Sequence, residues 1–155
     1  MLSKVVGRFA DDAPKELHEI RGVDYAQLPE RLAGKDYLQP FYGHPDWGIR
    51  QTFSNYLGWF DVNATNLFPL SPTGEAERVA KLAGGAEKLR AAAEEALDDG
   101  DHQWAAQLAD HLLAINSSDS GAKRIKADAL TGLARNMVNA TARNYYLTVA
   151  RELRE

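Results

Sequence analysis

The chain has 155 residues, 45% of them hydrophobic and 26% charged, which suits one globular domain with a buried core. Its net charge of −4 leaves no broad basic footprint for a phosphate backbone, so nucleic acid is not an expected partner. With no cysteine, disulfides, thiolate nucleophiles and cysteine metal sites are excluded. Residues 1 to 43 read as an irregular arm with little core of its own. Short helices are expected to start near Asp12-Ala-Pro14 and at Leu28-Pro29, the second ending at Gly34. From Pro45 the pattern sharpens: Ile49, Phe53, Tyr56, Leu57 and Phe60 recur at helical spacing and predict a helix over about 46–57. Gly58 to Pro72 cannot be helical throughout, because Pro69 and Pro72 push the residues before them toward extended backbone.

Ser71-Pro72 supplies a cap and a first residue for the next helix, with Ala76, Val79, Ala80 and Leu82 as its apolar side and Gly84-Gly85 as its stop. A helix with Leu89, Ala93, Ala96 and Leu97 on one face then runs to Gly100, and Asp101 caps its successor. That successor is lined by Trp104, Ala105, Leu108, Ala109, Leu112 and Ile115. After the turn Asn116-Ser-Ser-Asp119, one helix uses Ala122, Ile125, Ala129, Leu130 and Leu133. The last uses Ala142, Tyr145, Tyr146, Val149, Ala150 and Leu153. No segment alternates with period two, so the expected fold is all-α: a bundle of antiparallel helical hairpins behind an irregular N-terminal arm. Gly100-Asp101 between two helices, with Ala105 and Ala109 four apart, resembles one tetratricopeptide unit. A solenoid needs about three such units.

No apolar run approaches the roughly 20 residues of a membrane span, and no signal peptide is read at the N-terminus. The expectation is a soluble chain, with the cytoplasm favoured and the compartment open. Three Asn-x-Ser/Thr triplets, at Asn63, Asn116 and Asn139, are taken as chance occurrences.

The four histidines, His18, His44, His102 and His111, show none of the close spacings of a zinc site, and no metal site is expected in this chain. His102 and His111 fall on opposite faces of one helix. Asp98-Asp99-Gly100-Asp101 lacks the ligand order of a calcium loop and reads as a C-cap followed by an N-cap. Glu94 and Glu95 diverge as helical neighbours. There is no G-x-S-x-G elbow and no phosphate-binding glycine loop. Neither catalytic residues nor a cofactor are assigned.

The stretch YLGWFDVNATNLFPLSP, Tyr56 to Pro72, stands apart. A loop this rich in aromatic and aliphatic groups needs cover. Two readings stay open on the residues alone. It is an ordered loop buried in its own fold, with Asn63 and Asn66 satisfying backbone groups, or it is an interface or the wall of a site.

This stretch follows Leu28-Pro-Glu-Arg-Leu-Ala33, Tyr37-Leu38 and Pro40-Phe-Tyr-Gly43, and precedes Leu82-Ala-Gly-Gly85, Gly100-Asp101, Trp104-Ala105 and Ala142-Arg-Asn-Tyr-Tyr-Leu147. In that order the residues resemble the dimerisation domain of alkyl sulfatases that carry a metallo-β-lactamase-type catalytic domain. The resemblance covers residues 24–155, and residues 1–23 read as a divergent arm. Val62 and Ala64 depart from the glycine and proline of the family pattern. The resemblance implies a homodimerising, non-catalytic module of a sulfuric ester hydrolase. It also implies a separate catalytic domain holding two zinc ions, whose H-x-H-x-D-H motif is not in this sequence. Tyr56 is then the residue expected near a substrate sulfate, and Trp59, Phe60, Asn63, Leu67 and Phe68 serve an interface with the catalytic domain. The rival reading is a free-standing tetratricopeptide-like adaptor for another protein. A third, catalysis by this chain alone, lacks visible machinery.

Overall fold

A computed structural model of the chain describes residues 30–155, apart from positions 34 and 62. Every regular element among the described residues is helical. The helix expected near Asp12, the arm 1–23 and His18 lie outside the described residues. Contacts divide the chain after Pro69 into two units.

In the first unit, a one-turn helix α1 (Glu30–Ala33) and a 3-10 turn (Asp36–Leu38) precede α2 (Pro45–Leu57). Pro45 sits at the first helical position, where its missing amide hydrogen costs nothing. His44 caps this helix: its Nδ1 accepts from the Asp46 amide at 3.3 Å. A histidine weighed as a metal ligand is thus engaged with the backbone. Gly58 closes α2 at φ 80°, and a second 3-10 turn follows at Ala64–Leu67.

The second unit contains α3 (Pro72–Ala83), α4 (Ala86–Asp98), α5 (His102–Ile115), α6 (Ser120–Arg135) and α7 (Ala140–Glu152). Their starts follow from local chemistry. Ser71 Oγ, Asp101 Oδ1, Asp119 Oδ1 and Asn139 Oδ1 accept from the amides of Gly74, Trp104, Ala122 and Ala142 at 2.9–3.1 Å. Gly84 and Gly85 end α3 with φ of 93° and 117°, a left-handed turn closed to an L side chain without strain. The Gly85 amide donates back to the Ala80 carbonyl at 2.8 Å.

Two of the Asn-x-Ser/Thr triplets share one local geometry. Asn63 Oδ1 accepts from both the amide and the hydroxyl of Thr65, and Asn116 Oδ1 does the same for Ser118. The third places Asn139 as the α7 cap. The recurrence has a conformational cause, the ability of asparagine to mimic a backbone turn.

Helix α6 packs against both α5 and α7, and α5 also against α3 and α4. One apolar cluster joins α3, α4, α5 and α6 through Ala80, Leu89, Ala93, Leu108, Ala109, Leu112, Ala122 and Ile125. A second joins α4 to α7 through Ala96, Ala105, Ala106, Ala127, Ala129, Leu130 and Ala150. Leu97 packs on both clusters. Alanine dominates, which lets helix backbones approach closely. In the second unit the expected apolar faces are corrected at four large residues: Leu82 is 89% exposed, and Trp104, Ile115 and Tyr145 also lie on the surface. Close helix packing selects small residues for the seam, so these bulky groups are displaced outward although their spacing is helical.

The tightest approach is at Gly132 in α6. A Cβ there would overlap the ring of His102 on the first turn of α5. That ring's Nδ1 is buried without a hydrogen-bond partner among the described residues. Gly132→Ala is therefore expected to destabilise the chain by about 1–2 kcal/mol, overpacking outweighing the gain of about 1 kcal/mol in helix propensity. The check is urea unfolding of G132A beside G132A/H102A. Shortening His102 in the double variant should recover most of the loss.

Candidate functional site

The segment from Tyr56 to Pro72 is built from the end of α2, the second 3-10 turn and the approach to α3. Gly58 stops the helix, its amide donating to the Ser54 carbonyl at 3.0 Å. The chain then turns back on a set of short polar contacts. Asp61 is the pivot and is buried. Its Oδ1 accepts from the Asn63 amide at 3.2 Å, and its Oδ2 accepts from Asn66 Nδ2 at 2.6 Å. Asn63 Oδ1 in turn accepts from Thr65 Oγ1 at 2.8 Å, and the Asn63 carbonyl accepts from the Asn66 amide at 2.9 Å. The polar residues of the segment satisfy one another and hold its shape.

The apolar groups take the opposite position. Trp59 is 71% exposed and Phe68 94%, with Leu67 also on the surface. Trp59 and Phe60 meet edge to face, ring centroids 5.6 Å apart and planes at 61°. Tyr56, on the last turn of α2, is 78% exposed. A buried Asp61 beside exposed Trp59, Leu67 and Phe68 runs against the usual sorting of side chains. Among the described residues the loop's Trp59, Leu67 and Phe68 are exposed, while Asn63 satisfies a backbone amide, at Thr65. Phe60 and Asn63 are half-buried and belong to the loop's own scaffold, and Trp59, Leu67 and Phe68 face outward.

Asp61 is the organising residue that sequence reasoning passed over. Its signal was present in the spacing Asp61, Asn63, Asn66, a carboxylate followed by two groups able to donate back to it within one turn. No signal of that kind marks a metal site. Among the described residues, no three histidine, aspartate or glutamate side chains are grouped to hold an ion. No helix among the described residues is long and apolar enough to cross a membrane.

Comparison with known proteins places the chain. Residues 17–155 match the family model described as alkyl sulfatase dimerisation. The chain is 37% identical over 138 residues to an (R)-specific secondary-alkylsulfatase of Pseudomonas sp., covering 89% of this chain and 21% of that protein. It is 38% identical over 132 residues to a linear primary-alkylsulfatase of Pseudomonas sp. (strain ATCC 19151), covering 84% of this chain and 25% of that protein. Among solved structures, the stereoselective inverting sec-alkylsulfatase Pisa1 from Pseudomonas sp. superposes with a TM-score of 0.79 at 36% identity, over 90% of this chain and 22% of its own. The chain thus spans between a fifth and a quarter of the length of these relatives. From the family match and these identities together, the chain belongs to the alkyl sulfatase dimerisation family.

Proposed function

We propose that this chain acts as the dimerisation module of an alkyl sulfatase-like sulfuric ester hydrolase and does no hydrolysis by itself. The observation that carries the reading is the outward-facing aromatic segment inside a family match running over residues 17–155. Residues 24–155 form the module, and 1–23 a divergent arm. Trp59, Phe60, Asn63, Leu67 and Phe68 make up the interface element, Asn63 by shaping it and the apolar groups by being covered. Burying the apolar groups contributes several kcal/mol, at about 25 cal/mol per Å² and 150–250 Å² per aromatic side chain.

In a complete enzyme, Tyr56 meets the substrate sulfate. Its phenol donates one hydrogen bond to the oxyanion without adding charge. The hydrolytic chemistry, and the two zinc ions that would support it, belong to a metallo-β-lactamase-type catalytic domain. The substrate class is an alkyl sulfate ester. In α4 to α7 we read antiparallel hairpins in the tetratricopeptide manner, the buried Ala105 and Ala109 of α5 supplying close helix approach.

That resemblance keeps a second reading in view, an adaptor that binds another protein in a helical groove. Light scattering separates the two. The purified chain is expected to run as a dimer at micromolar concentration, with no dodecyl sulfate hydrolysis above buffer. A strict monomer that captures an unrelated protein stoichiometrically would establish the adaptor instead.

A further inference from the structure

We propose that His44 and Asp46 form a proton-driven switch at the start of α2, in which the His44 Nδ1 stops accepting from the backbone and starts donating to a carboxylate. Two groups of Asp46 compete for that nitrogen. The Asp46 amide nitrogen lies 3.3 Å from it and the Asp46 Oδ2 3.4 Å. Their demands are opposite. The amide needs a bare lone pair on Nδ1, and the carboxylate needs a hydrogen there. With the cap bond made, the lone pair and the carboxylate oxygen meet as two acceptors. The other carboxylate oxygen, Asp46 Oδ1, is buried without a hydrogen-bond partner among the described residues. A hydrogen on Nδ1 removes the clash of acceptors and ends the cap bond.

The surroundings permit the exchange. The side chains of His44 and Asp46 are 38% and 30% exposed, so water reaches the pair and delivers the proton. The Trp47 ring has its centroid 6.1 Å from that of the imidazole, near enough to feel an imidazolium. No other described helix packs extensively on α2. Besides His44, the titratable and charged side chains from residue 38 to residue 55 are Tyr42, Asp46 and Arg50, and Asp46 is the one in ion-pair range of His44. Pro45 sits at the first helical position with its φ fixed by its own ring, so the helix start is held while the cap changes. The released Asp46 amide joins the first-turn donors that water satisfies. Neutral His44 thus serves the backbone, and charged His44 pairs with the carboxylate. The switch lies at the opposite end of α2 from Tyr56, and it stands apart from the dimerisation reading.

The test is nuclear magnetic resonance of the full chain with labelled nitrogen, from about pH 8 to about pH 5, where a histidine ordinarily changes charge. At the alkaline end the His44 Nδ1 should resonate as a bare acceptor. As the pH falls it should gain its hydrogen, and the Asp46 amide proton should move upfield with the same midpoint as its hydrogen bond is lost. Helix content by circular dichroism should stay constant. In His44→Gln the Asp46 amide should hold its position over the range. In Asp46→Ala the hydrogen on Nδ1 should exchange with water about tenfold faster at the acid end, having lost a charged acceptor. An Nδ1 that already carries hydrogen at the alkaline end overturns the proposal, because the cap is then not made. An Asp46 amide that stays still while the ring titrates overturns it too. So does a fall in helix content, which means unfolding in place of exchange, and so does an unchanged exchange rate in Asp46→Ala.

Discussion

Leu89→Ala is expected to lower the unfolding free energy of the chain by about 3–5 kcal/mol, the upper part of the range for a buried leucine. Leu89 is 2% exposed and packs in the cluster formed by α3, α4, α5 and α6. Half of that cluster is alanine: Ala80, Ala93, Ala109 and Ala122. Alanine seams bring backbones together and leave no long side chains free to lean into a void. The cavity left at position 89 therefore collapses poorly, and the penalty beyond simple transfer of the lost carbons is kept. Urea unfolding followed by circular dichroism is the measurement, with a lowered midpoint at an unchanged slope as the expected signature. A loss below about 1 kcal/mol would mean that the four helices do not share one core.

Asp119→Ala should rank next, with a loss of about 2–4 kcal/mol, because one carboxylate performs two tasks. Its Oδ1 caps α6 by accepting from the Ala122 amide at 3.0 Å. Both oxygens also receive Arg90 of α4, Nη1 at 3.1 Å and Nη2 at 2.6 Å, in a two-point pair. The pair is largely shielded, with the two side chains 23% and 14% exposed. Asp119→Asn keeps an acceptor for the cap and removes the charge, so it should cost less than the alanine variant.

The same pair predicts an acid limb. The Arg90 guanidinium, followed by the Ala122 amide, holds the Asp119 carboxyl down at about 2 from an ordinary 3.8. The unfolded chain takes up this proton first as pH falls. The stabilisation is complete above about pH 4 and is lost between about pH 4 and pH 2, amounting to about 1–2 kcal/mol after solvent screening. Thermal melts of the unaltered chain and Asp119→Asn from pH 6 to pH 2 should therefore converge toward the acid end. A gap that stays constant would show that the charge is not the source.

Sequence alone determined the boundaries of α3, α4 and α5 and the start of α6, though not the Asn139 cap of α7. Ser71-Pro72, Gly84-Gly85, Gly100-Asp101 and Asp119 act on backbone groups within a turn of themselves, and local chemistry of this kind needs no knowledge of the fold. The odd composition of Tyr56 to Pro72 was legible for the same reason, since apolar side chains clustered without helical period demand cover in any fold. The inward sides were legible too, since Ala80, Leu89, Ala93, Leu108, Ala109, Leu112, Ala122 and Ile125 are buried as their spacing predicts, and tertiary structure decided which bulky residues of those faces are shed to the surface. Leu82, Trp104 and Tyr145 have the hydrophobicity of core residues, yet the seams took alanines because only small side chains allow that interaxial approach. It also decided the partner of Asp119, an arginine 29 positions away that no spacing rule connects to it. And it turned Trp59 and Phe68 outward around the Asp61 network, a choice that depends on which groups in the loop satisfy one another and not on how apolar each residue is.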